Sequence, residues 1–146
     1  MSLTFTVALD QAKLAALMKQ LEPAEWRRRA SASVLESTLY LEREIARRMR
    51  KRTGAAAASV LGRRISALVG HVVSSLGYVS ILEGGSRPHV IRPRRAKVLA
   101  FAGANGRVFA RSVNHPGTKG YHAFRDGAAS SVRAIESIIA RHLGAA

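Results

Sequence analysis

Apolar residues recur at four- and seven-residue spacings after Pro23, which predicts a long amphipathic helix. Proline suits the first helical turn, and the helix is predicted to end at Thr53-Gly54. A stripe of apolar side chains along this helix is predicted to face the core: Trp26, Ala30, Val34, Leu41, Ile45 and Met49.

A second helical period covers Tyr121 to Leu143, and Gly144 is a natural stop. Its apolar side is predicted to comprise Phe124, Ala128, Val132, Ile135, Ile139 and His142. Asp10 is predicted to cap a short helix that carries Leu14, Leu17, Met18 and Leu21.

Strand-like alternation begins at the amino terminus. Residues 1–9 are interpreted as a strand or as an extended arm that pairs with a neighbouring subunit. Val60 to Val69 and His71 to Leu76 are predicted to be strands separated by Gly70. The small residues from Thr53 to Ser59 predict a loop, with one helical turn as the alternative.

Residues 78–119 read as short apolar runs between turn signals, which predicts a compact set of strands. Residues 78–83 at its start fit either a strand or a helical turn. The turn signals are Gly84 to Pro88, Gly103 to Gly106, and His115 to Thr118. Helices near both ends and strands between them predict one α+β domain over residues 1–146. It would contain one antiparallel β-sheet packed by the long helix of the amino-terminal half and by the carboxy-terminal helix.

Charge is the strongest global feature. The chain has 24 Lys and Arg against 9 Asp and Glu, a formal net charge of +15. This excess implies a polyanionic or acidic partner, and nucleic acid, an acidic protein and an anionic membrane all remain open.

Two groups of cations are candidate contact surfaces. The first has no intervening acid and comprises Arg87, Arg92, Arg94, Arg95 and Lys97. Arginine forks suit phosphate or carboxylate. The alternative is an edge strand protected from aggregation by charge, and the two interpretations can both be true. The second group lies at the end of the long helix and comprises Arg47, Arg48, Arg50, Lys51 and Arg52, followed by Thr53 and Gly54. It is either a partner contact or a solvated helix end that suits the helix dipole.

No catalytic or metal-binding pattern stands out. The nine acids form no close pair, the five histidines lack metal-ligand spacing, and there is no cysteine. We therefore predict that the chain is not an enzyme and needs no cofactor. No apolar run approaches the roughly 20 residues that span a bilayer. The amino terminus does not resemble a secretory signal, so we expect synthesis in a cytoplasm and no membrane partner.

Four motifs occur in a fixed order: RTGA at residues 52–55, YVSILEGGSRPHVIRP at 78–93, AKVLAF at 96–101 and VFARSVNHPGTK at 108–119. In this order and spacing the chain resembles the neck, or tail-completion, proteins of long-tailed double-stranded DNA bacteriophages. The resemblance covers roughly the second two-thirds of the chain. It departs from the family at residues 120–128, GYHAFRDGA, where a proline-containing entry to the last helix is common, and at Gly84, where a bulky apolar residue is usual.

The resemblance implies a structural virion protein that forms a ring at the head–tail junction, around the channel through which DNA leaves. Its partners would be further copies of itself, with sixfold symmetry favoured over twelvefold, the connector or head-completion proteins, and the tail terminator or tube. It would be located in the virion after assembly in the host cytoplasm. The turn expected to dock is His115, Pro116, Gly117, Thr118 and Lys119. The alternative hypothesis is a nonspecific basic nucleic-acid-binding protein.

Overall fold

A computed structural model describes residues 3–8, 22–49, 53–104 and 106–144. Its helices are α1 (Pro23–Arg48), α2 (Ala55–Ala58), α3 (Tyr78–Gly84) and α4 (Ala123–Leu143). Its strands are β1 (Thr4–Ala8), β2 (Val60–Arg64), β3 (Val69–Ser74), β4 (His89–Ile91), β5 (Leu99–Gly103), β6 (Gly106–Ala110) and β7 (Val113–His115). The predicted short helix after Asp10 lies outside the described residues.

The core sheet has the order β1-β3-β2 and is antiparallel throughout. β1 pairs with β3 of its own chain, with Phe5 opposite Val72. The amino-terminal strand therefore finds an intramolecular partner, while the outer edges of β1 and β2 stay unpaired within the described residues.

The long helix α1 lies on this sheet and places its apolar stripe in the core. All six residues of the predicted stripe are buried, with Ala30, Val34 and Ile45 fully so. The helix ends at Arg48, earlier than predicted, because Met49 already has an extended backbone (ψ 145°). The predicted end at Thr53-Gly54 is therefore wrong.

α4 packs antiparallel to α1 through small residues. Gly127, near its start, lies against Ile45 near the end of α1, and an added Cβ at Gly127 would come within 2.8 Å of the Ile45 Cγ1. At the other end of the pair, Arg141 donates to Glu36. Phe124 is fully buried and its ring lies 5.6 Å from that of Phe5 on β1. The core therefore lies between the three-stranded sheet and the two long helices.

These contacts confirm the predicted fold class, an α+β chain with an antiparallel sheet packed by long helices. The predicted helix near the carboxy terminus is confirmed as well, and Gly144 ends it with a left-handed backbone (φ 75°). Val132 is an exception on its predicted apolar side, since 52% of its surface is exposed.

The predicted boundary at Gly70 is wrong. The chain turns at residues 65–68, and Gly70 lies inside β3, where it pairs with Val7 and Arg64. Glycine is needed there because a Cβ would collide with the Thr38 hydroxyl of α1. A glycine that allows a helix to approach a strand looks like a turn signal in the sequence.

Residues 78–119 do not form one compact set of strands. The first seven are helical, as one of the two alternatives predicted, and the four strands that follow form two separate two-stranded ribbons, β4–β7 and β5–β6. Residues 53–59 adopt the alternative of a helical turn at Ala55–Ala58, entered through Gly54 with φ 76°.

Candidate docking surface: a basic hairpin

The two ribbons belong to a single interrupted hairpin, residues 86–118, which we call the basic hairpin. It begins with a bridge between Ser86 and Thr118, continues through β4 and β7, and ends in β5 and β6. Between the ribbons, seven residues (92–98) on the outgoing strand lie opposite only Arg111 and Ser112 on the returning strand. We call residues 92–98 the basic bulge.

The bulge concentrates charge at one level of the hairpin. It holds four of the five cations of the first predicted group, Arg92, Arg94, Arg95 and Lys97, and Arg111 lies across from it. All five are exposed. The interpretation as a charged edge strand is wrong because these residues lie outside the paired strands. Arg87, the fifth member of the group, precedes β4 and is exposed too.

None of the hairpin cations forms an ion pair within the part of the chain that the structure describes. From Gly84 to Lys119 the sequence contains eight cations and no acid, so the hairpin lacks local counter-charges. The cations are Arg87, Arg92, Arg94, Arg95, Lys97, Arg107, Arg111 and Lys119. Unpaired, exposed cations are available to an external anionic partner.

The base of the hairpin is held by a network of backbone contacts that we call the clasp, formed by residues 82–86 and 117–125. Ser86 and Thr118 exchange two backbone hydrogen bonds of 2.9 and 3.0 Å. Tyr121 donates to the Leu82 carbonyl at 2.6 Å. Gly117 has φ 90°, and a Cβ there would collide with the Ser86 carbonyl oxygen. Such close approach of two backbones requires glycine.

Glu83 joins the clasp to α4. Its carboxylate accepts hydrogen bonds from the backbone N–H groups of Phe124 and Arg125, each at 2.9 Å, and so caps the first turn of α4 from another element. The carboxylate also lies at the positive end of the helix dipole. Glu83 is buried, with 8% of its surface exposed. The sequence marks it only as the single acid near the strands, because its partner lies 41 positions away.

The predicted docking turn is part of this clasp. The Thr118 backbone holds Ser86, and Gly117 lets the two backbones approach. The Nδ1 of His115 accepts a hydrogen bond from the Gly117 N–H at 3.0 Å. The His115 ring stacks on His89, with centroids 5.0 Å apart. The side chains of Pro116, Thr118 and Lys119 remain exposed. Their docking role stays a prediction.

The second predicted contact group, residues 47–54, does not behave as one surface. Arg47 and Arg48 both pair with Glu44 at 2.6 Å, and these contacts hold the pKa of Glu44 below its ordinary value, chiefly through the Arg48 hydrogen bond. Arg48 also donates to Ser130 of α4. Arg48 therefore braces the helix pair, whereas the ion pair of Arg47 lies within α1. Thr53 is exposed and Gly54 has a left-handed backbone, whereas Arg50, Lys51 and Arg52 lie outside the described residues.

Sequence reasoning missed the exposure of the β5–β6 ribbon. Phe101, Val108 and Phe109 are 41%, 40% and 63% exposed, although their apolar runs are typical of core strands. No local signal in the sequence indicates this exposure, since strands without apolar–polar alternation are ordinarily buried on both faces.

The described residues contain no group of three His, Asp or Glu side chains that could hold a metal ion. Within the same residues, no helix has an apolar stretch long enough to cross a bilayer. Comparison of the chain with protein-family models, with curated proteins and with solved structures finds no match.

Proposed function

We propose that this protein is a structural component of a long-tailed phage or phage-like particle. It would form a ring at the head–tail junction, join connector or head-completion proteins to the tail, and surround the DNA exit channel. The observation that carries the proposal is the basic hairpin, a surface with unpaired cations and exposed apolar strands on a well-anchored base. It supports an assembly role alongside the motif order that resembles neck proteins.

The anchoring of the hairpin supports a role in docking. The clasp connects the base of the hairpin to α3 and to the first turn of α4, and α4 packs along α1. A recognition loop on a stiff support keeps its geometry when it binds, which lowers the entropic cost of association.

The core sheet offers a route to a ring. β1 and β2 are its two outer strands, and both are unpaired on their outer edges within the described residues. Pairing of β1 of one subunit with β2 of the next would be a head-to-tail contact, which closes a ring when the rotation between subunits allows it.

Charge reversal of the bulge tests the proposal. The variant carries Arg92→Glu, Arg94→Glu and Arg95→Glu, and joined particles are counted by electron microscopy after complementation of a particle that lacks the protein. We expect the yield of joined particles to fall at least roughly tenfold, because each change replaces an attraction to an acidic neighbour by a repulsion. A yield equal to that of the unaltered chain would remove this surface from the proposal.

A matched control reverses three exposed arginines outside the hairpin: Arg27, Arg28 and Arg133. None of their side chains forms an ion pair among the described residues. The control changes net charge by the same amount and should leave joining close to normal. Equal losses in both variants would assign the effect to net charge alone.

The eight unpaired cations also favour the second candidate function, nonspecific nucleic-acid binding. This function predicts that the isolated chain binds duplex DNA tightly and that affinity falls steeply as salt rises. Binding of this kind by a monomer that never assembles would favour it over the ring.

A further inference from the structure

The β5–β6 ribbon is apolar on both faces. Phe101 lies opposite Val108 on one face, and Phe109 lies opposite Ala100 on the other. Arg107 is its single charged residue. A strand pair with no polar face is typical of strands that are covered on both sides.

The chain itself does not cover this ribbon. Each of its described residues is at least partly exposed, and no other described helix or strand packs extensively on it. An isolated two-stranded hairpin is marginally stable in water, and its outer edges present unpaired N–H and C=O groups. The ribbon therefore needs a further strand or a covering surface to be stable.

Charge indicates what covers it. Next to the ribbon lie the bulge cations and Arg111, which require carboxylates or phosphates within reach. A second copy of the chain supplies too few free carboxylates. Among the described acids, Glu25, Glu36, Glu44 and Asp126 are used in ion pairs within the chain, whereas Glu42 and Glu83 accept backbone hydrogen bonds. Only Glu22 and Glu136 remain without a partner among these residues, against the eight unpaired cations of residues 84–119.

The apolar faces favour a protein over nucleic acid. Nucleic-acid interfaces are polar and strongly positive, and phosphates gain nothing from Phe101, Val108 or Phe109. A protein strand with apolar side chains and flanking carboxylates satisfies the ribbon edge, the apolar faces and the bulge cations together.

We propose that the β5–β6 ribbon docks an acidic protein, which adds an extended strand to an open ribbon edge and sets its carboxylates against the basic bulge. This inference rests on the proposed function, in which the hairpin is an assembly surface, and it identifies the partner by its chemistry.

The test measures binding of the full chain to three fluorescent probes by anisotropy: a peptide alternating valine and glutamate, a polyglutamate peptide of equal charge, and a short DNA duplex. We expect the alternating peptide to bind at least roughly tenfold tighter than polyglutamate. Amide hydrogen exchange should slow at residues 99–103 and 106–110 when it binds. Phe109→Ser should remove the difference between the peptides, whereas Val132→Ser, a matched exposed apolar residue on α4, should preserve it.

Three results would overturn the inference. They are equal affinity for both peptides, tighter binding of the duplex with protection of the same amides, and self-association that Phe109→Ser abolishes. The oligomeric mass of the same samples separates this inference from the proposed function. If the chain forms a ring but binds both peptides equally, the acidic-strand partner is ruled out and the proposed ring is not.

Discussion

Replacing Glu83 by alanine removes both acceptors that cap the first turn of α4. The Phe124 N–H is buried and the Arg125 N–H is partly buried, so the first has no route to water and the second only a limited one. A buried donor left without an acceptor costs about 1–3 kcal/mol, and loss of a helix cap costs about 0.5–2 kcal/mol. Because two donors lose their acceptor and the second keeps some access to water, we expect the free energy of unfolding to fall by about 2–4 kcal/mol.

Urea titration of the purified chain measures this loss directly, and thermal unfolding should show a midpoint lower by roughly 5–15 °C. Glu83→Gln keeps one acceptor oxygen and should lose about half as much. Glu136→Gln is the matched control, since Glu136 is exposed on α4 and has no partner among the described residues. It should change stability by less than about 0.5 kcal/mol.

The assignment of Glu83 as the cap that holds hairpin base and helix together would be refuted by a loss under about 0.5 kcal/mol in Glu83→Ala. It would be refuted equally by similar losses in Glu83→Ala and Glu136→Gln.

Two further perturbations test the clasp and the helix pair. Gly117→Ala should open the clasp and speed amide exchange through the hairpin, because a Cβ would collide with the Ser86 carbonyl. Gly54→Ala is the control: Gly54 is also left-handed but has open space around it, so this change should leave amide exchange in the hairpin unaltered. The hydrogen bond from His142 holds the pKa of Glu36 below its ordinary value. The stabilisation is therefore present above the ordinary carboxyl pKa and is lost as pH falls through the lowered pKa of Glu36. In Glu36→Gln the free energy of unfolding should therefore decrease less on acidification, by at most about 1 kcal/mol. An unchanged acid limb would contradict this.

How much of the fold could be predicted depended on whether the signal was local. The apolar stripe from Trp26 to Met49 has a helical period, and it is buried as predicted. Gly70 was wrongly predicted as a strand boundary because the need for glycine there comes from the Thr38 side chain on another element. Glu83 was not predicted as a cap for the same reason, since helix α4 begins about forty residues later.

The sequence predicted the charged residues of the candidate surface but not the way in which the strands beside them are exposed. The run of arginines from Arg87 to Arg95 is visible in the sequence, and all of them are exposed. The apolar residues Phe101 and Phe109 were expected in a compact set of strands and are exposed instead. Hydrophobicity predicts that a side chain will be covered, but it does not say whether its own chain or another one covers it.

Assembly into a ring, the proposed role of this protein, can be tested by measuring the oligomeric mass of the purified chain. Light scattering at several concentrations, with and without short duplex DNA, distinguishes the two candidate functions. For a neck protein we expect a defined ring, or a monomer that assembles only when connector or tail proteins are added and that does not bind DNA. A chain that stays monomeric with those proteins present and coats DNA in a salt-sensitive way would contradict it.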